Sequence, residues 1–338
     1  MMHYKLFGHS GLRVSELCLG TMTFGEDWGW GAPKEVSQKI FDRYAGAGGN
    51  FVDTACNYTN ATSEKFVGEF IHSDRDHFVV ATKYTLTLRK DDPNFGGNHR
   101  KNMVRSVEES LQRLNTDFID LYWLHMWDYT TPVEEVLRAL DDLVRSGKVL
   151  YVGISDTPAW VVSRANAIAE LRGWSRFVGL QVPYSLADRA AERDLLPMAR
   201  ALDLAVTPWG LLEGGELTGK YNQPTSEPKR SDDTSPKIKS LAETLMGVAA
   251  EIGCTPSQIA INWVRQQPGN IIPILGARTE AQIKDNLACL DFQLNSEQVK
   301  RLSDASPIDL GFPSSFLHSD HVHRLIFGDT FAMLDNHR

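Results

Sequence analysis

The sequence predicts an α/β protein folded as a single (β/α)₈ barrel, and three observations support this prediction. Short apolar runs alternate with amphipathic helical stretches along the chain, and eight such units can be counted. The runs are apolar almost throughout, as strands buried on both faces of a parallel sheet must be. An open doubly wound sheet would need a G-x-G-x-x-G turn after its first strand, and residues 19–25 (LGTMTFG) contain none.

The eight units follow one another in order, and the 338 residues suffice for one barrel, which typically takes about 250 residues. The predicted strands cover residues 14–21, 50–54, 77–83, 118–125, 149–154, 177–182, 204–209 and 270–275. The predicted helices cover residues 34–46, 63–72, 99–114, 132–146, 158–171, 191–202, 237–252, 256–267 and 279–289. A long insertion over residues 210–236 interrupts the alternation before the last strand.

Two segments lie outside the repeating units. Residues 2–13 (MHYKLFGHSGLR) have the alternation and glycine turn of a small hairpin, which we expect to plug the amino-terminal end of the barrel. The tail, about residues 304–338, carries Phe312, Phe316, Leu325 and Phe327. We expect this apolar tail to pack near the barrel mouth. The chain then forms one domain over residues 1–338, with its barrel core at about residues 14–290.

Composition limits the classes of function. The net charge of −8 argues against a nucleic-acid or membrane-surface role, since both usually need a basic face. No stretch reaches about 18 uninterrupted apolar residues, so no membrane span is expected. The start of the chain lacks the layout of a signal peptide, and the cysteines are scattered, which indicates a reducing, cytoplasmic setting. The oligomeric state is open, and a homo-oligomer is compatible with the sequence.

Polar residues at the ends of three consecutive predicted strands form the candidate catalytic group. Asp53 ends the second strand, Lys83 ends the third and His125 ends the fourth, while Tyr58 follows Asp53 by five residues. Catalytic groups of such barrels collect at the carboxyl ends of the strands, so these four side chains should converge. Taken singly, each could have a structural role, such as a helix cap or a satisfied core histidine. Their joint placement favours catalysis.

These four residue types form a coherent chemical set. A phenol with a pKa near 10 is a poor acid at neutral pH. A nearby ammonium such as Lys83 would lower the pKa of Tyr58 toward the working range, and Asp53 would keep Lys83 charged and oriented. His125 would hydrogen-bond the oxygen of a substrate carbonyl. The set therefore predicts that Tyr58 delivers a proton without help from a metal.

The chain resembles the aldo-keto reductases from about residue 4 to residue 290. The matching stretches are 17–25 (LCLGTMTFG), 51–58 (FVDTACNY), 81–84 (ATKY), 120–125 (DLYWLH), 151–156 (YVGISD), 207–221 (TPWGLLEGGELTGKY) and 273–286 (PILGARTEAQIKDN). In that family the Asp, Tyr, Lys and His at these positions form the catalytic tetrad. The resemblance implies reduction of aldehydes and ketones to alcohols with NADP(H), which lies extended across the barrel mouth.

The resemblance also assigns the nicotinamide end of the cofactor site. The residues expected to line it are Gly20, Thr21, Met22, Ser155, Asp156, Gln181, Trp209, Gly210 and Leu211. Ser155, Asp156 and Gln181 match the side chains that hydrogen-bond the carboxamide, and Trp209 matches the aromatic that stacks on the ring. The family often has Asn where this chain has Asp156. An ionised Asp can accept from the carboxamide but cannot donate to it.

The segment after the eighth strand matches the family's site for the 2′-phosphate and adenine. Its residues are Gly276, Arg278, Gln282 and Asn286. Many relatives carry a lysine where Ile274 follows Pro273, so phosphate recognition would depend on Arg278. NADP(H) is favoured and NAD(H) is possible. The insertion resembles a family loop that can fold over the pyrophosphate, although it could equally be a solvated loop without cofactor contact.

Aromatic residues are expected to shape the substrate pocket, and two alternatives to a reductase remain. Trp28 and Trp127 are the candidate substrate contacts, with Trp30 beside them. A metal-dependent hydrolase is disfavoured, because the single H-x-H, at residues 321–323, follows the last strand, and we predict no metal site. Some relatives of the aldo-keto reductases serve as channel-associated subunits that turn over slowly. The motifs do not separate such a cofactor-binding regulatory role from catalysis.

Overall fold

The computed structural model describes residues 1–219 and 235–335. Its strands are β1 (Tyr4–Leu6), β2 (Arg13–Ser15), β3 (Cys18–Gly20), β4 (Phe51–Asp53), β5 (Val79–Tyr84), β6 (Ile119–Leu124), β7 (Val149–Ser155), β8 (Phe177–Pro183), β9 (Ala205–Trp209) and β10 (Ile274–Leu275). The last eight form one parallel sheet in the order β10-β3-β4-β5-β6-β7-β8-β9. A parallel bridge between Val206 and Ile271 joins its two ends. The predicted (β/α)₈ barrel is confirmed.

Helices cover the outside of the barrel. They are α1 (Lys34–Gly46), α2 (Thr62–Ile71), α3 (Arg100–Leu114), α4 (Val133–Arg145), α5 (Ala159–Arg172), α6 (Leu195–Ala201), α7 (Pro236–Ile252), α8 (Pro256–Arg265), α9 (Glu280–Leu287), α10 (Ser296–Ala305), α11 (Ser314–Leu317) and α12 (Asp320–Phe327). Among these helices, none is both long enough and apolar enough to cross a membrane.

The hairpin β1–β2 plugs the amino-terminal end of the barrel, as predicted. Phe7, from the hairpin turn, is fully buried and contacts Phe51 and Trp123 edge to face, with ring centroids 5.5 and 6.3 Å apart. Two glycines make room for these rings. A Cβ at Gly153 would lie 2.3 Å from the Trp123 ring, and a Cβ at Gly179 would lie 2.6 Å from Phe7.

Strand alternation places the site above this plug. Side chains two residues apart on a strand share a face. Because Phe51 and Trp123 pack inside the barrel, the positions two residues later, Asp53 and His125, also point inward. The same holds for Lys83, which follows the buried Ala81. The interior therefore changes along its axis from an apolar plug to a layer of polar side chains at the carboxyl ends of the strands.

Two predicted strands are shorter in the structure. The prediction of a first strand over residues 14–21 was wrong at its start, because Arg13–Ser15 pairs with β1 in the hairpin. The Ser15 hydroxyl then donates to Leu17 O, which turns the chain before β3 begins. In the predicted strand 270–275 only Ile274–Leu275 forms a ladder. Pro273 has no N–H to donate to one.

One predicted helix and the tail also differ from expectation. Residues 191–202 form a 3₁₀ turn and then α6, in which Pro197 stands in the first turn, where its missing N–H costs little. The tail begins at the carboxyl side of the barrel, where Arg193 Nε donates to Asp309 O. Beyond that point its apolar side chains are largely exposed, including Phe312 (86%) and Leu325 (69%). The part of the insertion at residues 220–234 lies outside the described residues.

Candidate active site

Lys83 is the centre of a buried hydrogen-bond network. Its ammonium donates to Asp53 Oδ2 at 2.5 Å, to the backbone oxygen of Thr54 at 2.8 Å and to Tyr58 Oη at 3.1 Å. All three ammonium hydrogens are thus used, and the side chain is fully buried. Burial disfavours the ammonium, but the charges and hydrogen bonds of Asp53 and Tyr58 together more than offset this effect, so the pKa of Lys83 is raised. Lys83 is therefore a fixed positive charge beneath the tyrosine.

Both carboxylate oxygens of Asp53 accept hydrogen bonds. While one of its oxygens accepts from Lys83, Oδ1 accepts from Gln181 Nε2 at 3.1 Å. Gln181 Nε2 also lies 3.4 Å from Thr207 Oγ1. The amide nitrogen of Gln181 is therefore used within the barrel, and its oxygen remains available as an acceptor.

Tyr58 stands on a strained turn. The three residues after it, Thr59, Asn60 and Ala61, have φ values of 45°, 52° and 72°. Residues other than glycine rarely adopt this left-handed backbone conformation. Where they do, contacts with the surrounding structure hold them in it. Here the Thr59 hydroxyl donates to Phe24 O at 2.5 Å. The strained turn fixes the tyrosine over the barrel mouth, and no local sequence signal indicated it.

The expected lowering of the Tyr58 pKa is wrong for this structure. Burial raises the pKa of the phenol, and the positive charge of Lys83 offsets this rise only in part. The sequence shows the cation, but it does not show the cost of burying a phenolate. Tyr58 is consequently protonated at neutral pH, which is the form that a proton donor must have before reaction.

His125 is a neutral histidine that faces the tyrosine. The two rings are edge to face with centroids 6.0 Å apart. Burial and the charge of Lys83 lower the pKa of His125 to about 3. Its Nδ1 is buried and has no hydrogen-bond partner among the residues described. A neutral imidazole can donate one hydrogen bond, so it can orient a carbonyl oxygen without supplying a charge.

Three residues that the sequence analysis missed tie together the loops around His125. Thr85, at φ 98°, accepts from His125 N and from Asn98 Nδ2, at 3.3 and 2.9 Å. Asn98 N donates to Asp128 Oδ2 at 2.7 Å, and Asp128 N donates to Asn98 Oδ1 at 2.8 Å. We call Thr85, Asn98 and Asp128 the loop clamp. Since it joins the loops after β5 and β6, no local motif could reveal it.

The predicted residues of the nicotinamide end lie around this network. The Thr21 hydroxyl donates to Asp53 O at 3.0 Å, so its side chain is already engaged. Gly20 is needed for packing, because a Cβ there would lie 2.5 Å from Ile274. Met22 is 39% exposed and Trp209 is 41% exposed, which leaves both open to a ligand. Ser155, Gly210 and Leu211 complete this group at the ends of β7 and β9.

The predicted phosphate segment lies at the start of α9. Arg278 is half-buried, and its side chain has no hydrogen-bond partner in the part of the chain described. Its backbone N–H donates to Gln282 Oε1 at 2.8 Å. Asn286 is buried and donates to Gly276 O at 3.3 Å. Gln282 and Asn286 thus shape the turn, and the guanidinium of Arg278 is left available for an anion.

Of the two predicted substrate contacts, Trp28 lies close to Tyr58, whereas Trp127 packs against the hydrophobic core. Trp28 is edge to face with Tyr58, with centroids 6.4 Å apart, and 5.6 Å from the Trp30 ring. Trp127 is half-buried against the core, and its backbone N–H donates to Asp156 O at 3.3 Å. The structure therefore brings Trp28 to the catalytic group.

A nicotinamide cofactor and a carbonyl compound fit these residues. Among the described residues, His125 Nδ1 and the guanidinium of Arg278 have no hydrogen-bond partner, and the indole of Trp209 is 41% exposed. Within residues 1–219 and 235–335, no group of three or more His, Cys, Asp and Glu side chains could hold a metal.

Comparison with known proteins agrees with this chemistry. The model of the aldo/keto reductase family matches residues 16–307. Norsolorinic acid reductase from Emericella nidulans is 39% identical over 325 residues, which cover 93% of this chain and 84% of that protein. Aryl-alcohol dehydrogenase (NADP(+)) from Phanerodontia chrysosporium is 37% identical over 359 residues, with coverages of 97% and 89%. This chain belongs to the aldo/keto reductase family and is a nicotinamide-dependent oxidoreductase that reduces carbonyl groups.

Proposed function

We propose that this enzyme reduces aryl aldehydes or ketones to alcohols with NADPH and that Tyr58 delivers the proton. The observation that carries the proposal is the Lys83 ammonium, which contacts Asp53 and Tyr58 at once in a buried layer. This arrangement needs no metal, and it matches the roles expected of the four strand-end residues.

Each of the four residues has a separate task. A bound nicotinamide supplies or accepts the hydride. Tyr58 donates its proton to the carbonyl oxygen, and in the reverse direction its phenolate accepts the proton of the alcohol. Lys83 stabilises that phenolate, and Asp53 keeps Lys83 charged and in place. His125 donates a hydrogen bond to the carbonyl oxygen and thereby aligns the carbonyl carbon for hydride transfer.

The cofactor contacts belong to the proposal as well. Asp156, Ser155 and Gln181 hold the carboxamide, Trp209 stacks on the ring, and Arg278 pairs with the 2′-phosphate. NADPH is favoured because this guanidinium is free to bind a phosphate, and because a relative is named as an NADP(+) enzyme. NADH remains a slower alternative, since it lacks the group that Arg278 would bind.

Aromatic substrates are proposed for two reasons. Trp28 and Trp30 lie beside Tyr58, where they form an apolar wall suited to planar rings. The names of the relatives also refer to aryl alcohols and to norsolorinic acid. We further propose that the chain forms one domain and acts in the cytoplasm, where its four free cysteines stay reduced. No observation favours the regulatory role over catalysis.

A panel of carbonyl compounds tests this function. The absorbance of NADPH would be followed with aryl aldehydes, aryl ketones, straight-chain aldehydes and sugars of matched concentration. We expect kcat/KM to be highest for the aryl compounds and to fall when Trp28 is replaced by alanine. Turnover of sugars or straight-chain aldehydes above that of every aryl compound would contradict the substrate class. A lack of turnover with the whole panel would contradict the function.

A further inference from the structure

Asp156 is an acidic residue locked at the edge of the proposed nicotinamide site. It follows Ser155 directly at the end of β7 and has a left-handed backbone, with φ 41°. Its N–H donates to Gln181 O and its own carbonyl oxygen accepts from Trp127 N, both at 3.3 Å. Asn and Asp tolerate this conformation better than most side chains do. These contacts therefore fix the main chain from which the carboxyl group extends.

One oxygen of this carboxyl group has no partner. Asp156 Oδ1 is buried and accepts no hydrogen bond from any residue that the structure describes. A buried acceptor left unpaired is costly, so Oδ1 can accept a hydrogen bond from a donor that a bound ligand supplies. The amide NH₂ of a nicotinamide is a donor of this kind.

The charges around Asp156 are few. Lys83 is the cation that acts on it, and Tyr58 is the titratable group whose pKa the Asp156 charge raises. His125 is neutral, and Ser155, Gln181 and Trp209 carry no charge. Burial raises the pKa of Asp156, while Ser155, Lys83 and Trp209 lower it in part. The carboxyl group is thus a titratable charge at the rim of a site whose other carboxamide contacts are neutral.

We propose, on the basis of the proposed cofactor site, that the Asp156 carboxylate makes this enzyme bind the oxidised cofactor more tightly than the reduced cofactor. This difference in affinity increases as pH rises. The oxidised nicotinamide ring carries a positive charge that the reduced ring lacks. An ionised Asp156 attracts this charge, whereas a protonated Asp156 or an amide at the same place does not. The residue therefore sets the redox preference of the site and couples it to pH.

The test compares the dissociation constants of NADP⁺ and NADPH, measured by calorimetry between pH 5 and 9, in wild type and in Asp156→Asn. Asparagine keeps the size and tolerates the left-handed backbone. It removes the charge and replaces one acceptor oxygen with an NH₂ donor, and this second change acts on both cofactors because both carry the same carboxamide. In wild type we expect the ratio Kd(NADPH)/Kd(NADP⁺) to rise with pH. In Asp156→Asn we expect this ratio to be about tenfold lower than in wild type at high pH and to stay constant as pH changes. Titration of the 2′-phosphate cancels in this ratio, because both cofactors carry it.

A second left-handed aspartate provides the control. Asp203 has φ 52° and lies at the opposite end of the barrel, where it pairs with the exposed His9. Asp203→Asn should leave the ratio and its pH dependence unchanged. If both cofactors bind and the Asp156→Asn ratio equals that of wild type at every pH, the inference is wrong and the proposed site stands. If neither cofactor binds wild type, the proposed function and the inference both fail.

Discussion

The two ends of the proposed cofactor site are built differently. At the nicotinamide end, Lys83 uses all of its hydrogens on Asp53, Thr54 and Tyr58, and the groups are buried before any ligand arrives. At the phosphate end, Arg278 is half-buried, and its guanidinium has no partner within residues 1–219 and 235–335. Catalysis benefits from donors and charges that are held in place beforehand. Recognition of an anion needs only one side chain that can reach it.

This difference separates the reaction from the choice of cofactor. A change in the buried layer should affect the chemical step, whereas a change at Arg278 should affect which cofactor binds. Four substitutions test that separation, and their expected effects decrease from Tyr58→Phe to Asn98→Ala.

Tyr58→Phe should cause the largest loss. It removes the proton donor but keeps the ring that packs against Trp28 and His125. General acid catalysis contributes about 10²–10⁴-fold, so kcat should fall by that factor while the Kd of NADPH changes little. Stopped-flow measurement of carbonyl reduction would check the rate. Near-normal turnover would remove Tyr58 from the mechanism.

Lys83→Met should lower kcat and also shift the pH dependence of the reaction rate. Without the cation the pKa of Tyr58 rises further, so alcohol oxidation, which needs the phenolate, should require higher pH than in wild type. Asp53 would then lack its cation, and the double variant Lys83→Met/Asp53→Asn controls for the buried carboxylate. An unchanged pH profile in both variants would make Lys83 a purely structural residue.

Arg278→Ala should act on affinity alone. A charge-assisted hydrogen bond contributes about 1.5–3 kcal/mol, which corresponds to about 10- to 150-fold in the Kd of NADPH. The Kd of NADH should barely change, because NADH has no 2′-phosphate. Titration of both cofactors measures this. An equal loss for both would mean that Arg278 contacts the shared part of the molecule.

Asn98→Ala should give the smallest effect, through the loop clamp. It removes the amide that bonds Thr85, Met126 and Asp128, and it leaves buried backbone groups unpaired. We expect a loss of about 1–3 kcal/mol in the free energy of unfolding and a raised KM for the carbonyl compound. Urea denaturation and steady-state kinetics check the two values. The exposed Asn94, on the same loop, is the matched control, and Asn94→Ala should match wild type.

The sequence could predict the residues at strand ends but not the contacts between distant loops. The ends of the predicted strands singled out Asp53, Lys83 and His125 as a candidate group, because the carboxyl ends of all barrel strands meet at one mouth. The loop clamp escaped notice because Asn98 and Asp128 are thirty residues apart and meet only after folding. The pKa of Tyr58 was misjudged because a sequence shows which charges are near but not how deeply a phenol is buried.

Errors in the secondary structure have similar causes. Val14 and Ser15 run without a break into the apolar stretch that follows, and only the pairing of Arg13–Ser15 with β1 shows that they belong to the hairpin. The exposed side chains of the tail, such as Phe312, could not be foreseen from their apolar character, which predicted packing. In both cases tertiary contacts, rather than local propensity, decided the outcome.

The rate of a single turnover at saturating NADPH separates the proposed proton transfer from Tyr58 from the binding role of Arg278. Enzyme loaded with NADPH would be mixed with an aryl aldehyde, and the loss of cofactor fluorescence would be recorded for wild type, Tyr58→Phe and Arg278→Ala. Saturation removes differences in affinity, so only the chemical step is compared. Proton transfer from Tyr58 predicts that Arg278→Ala matches wild type while Tyr58→Phe is slower by about 10²–10⁴-fold. Equal rates for Tyr58→Phe and wild type would contradict it.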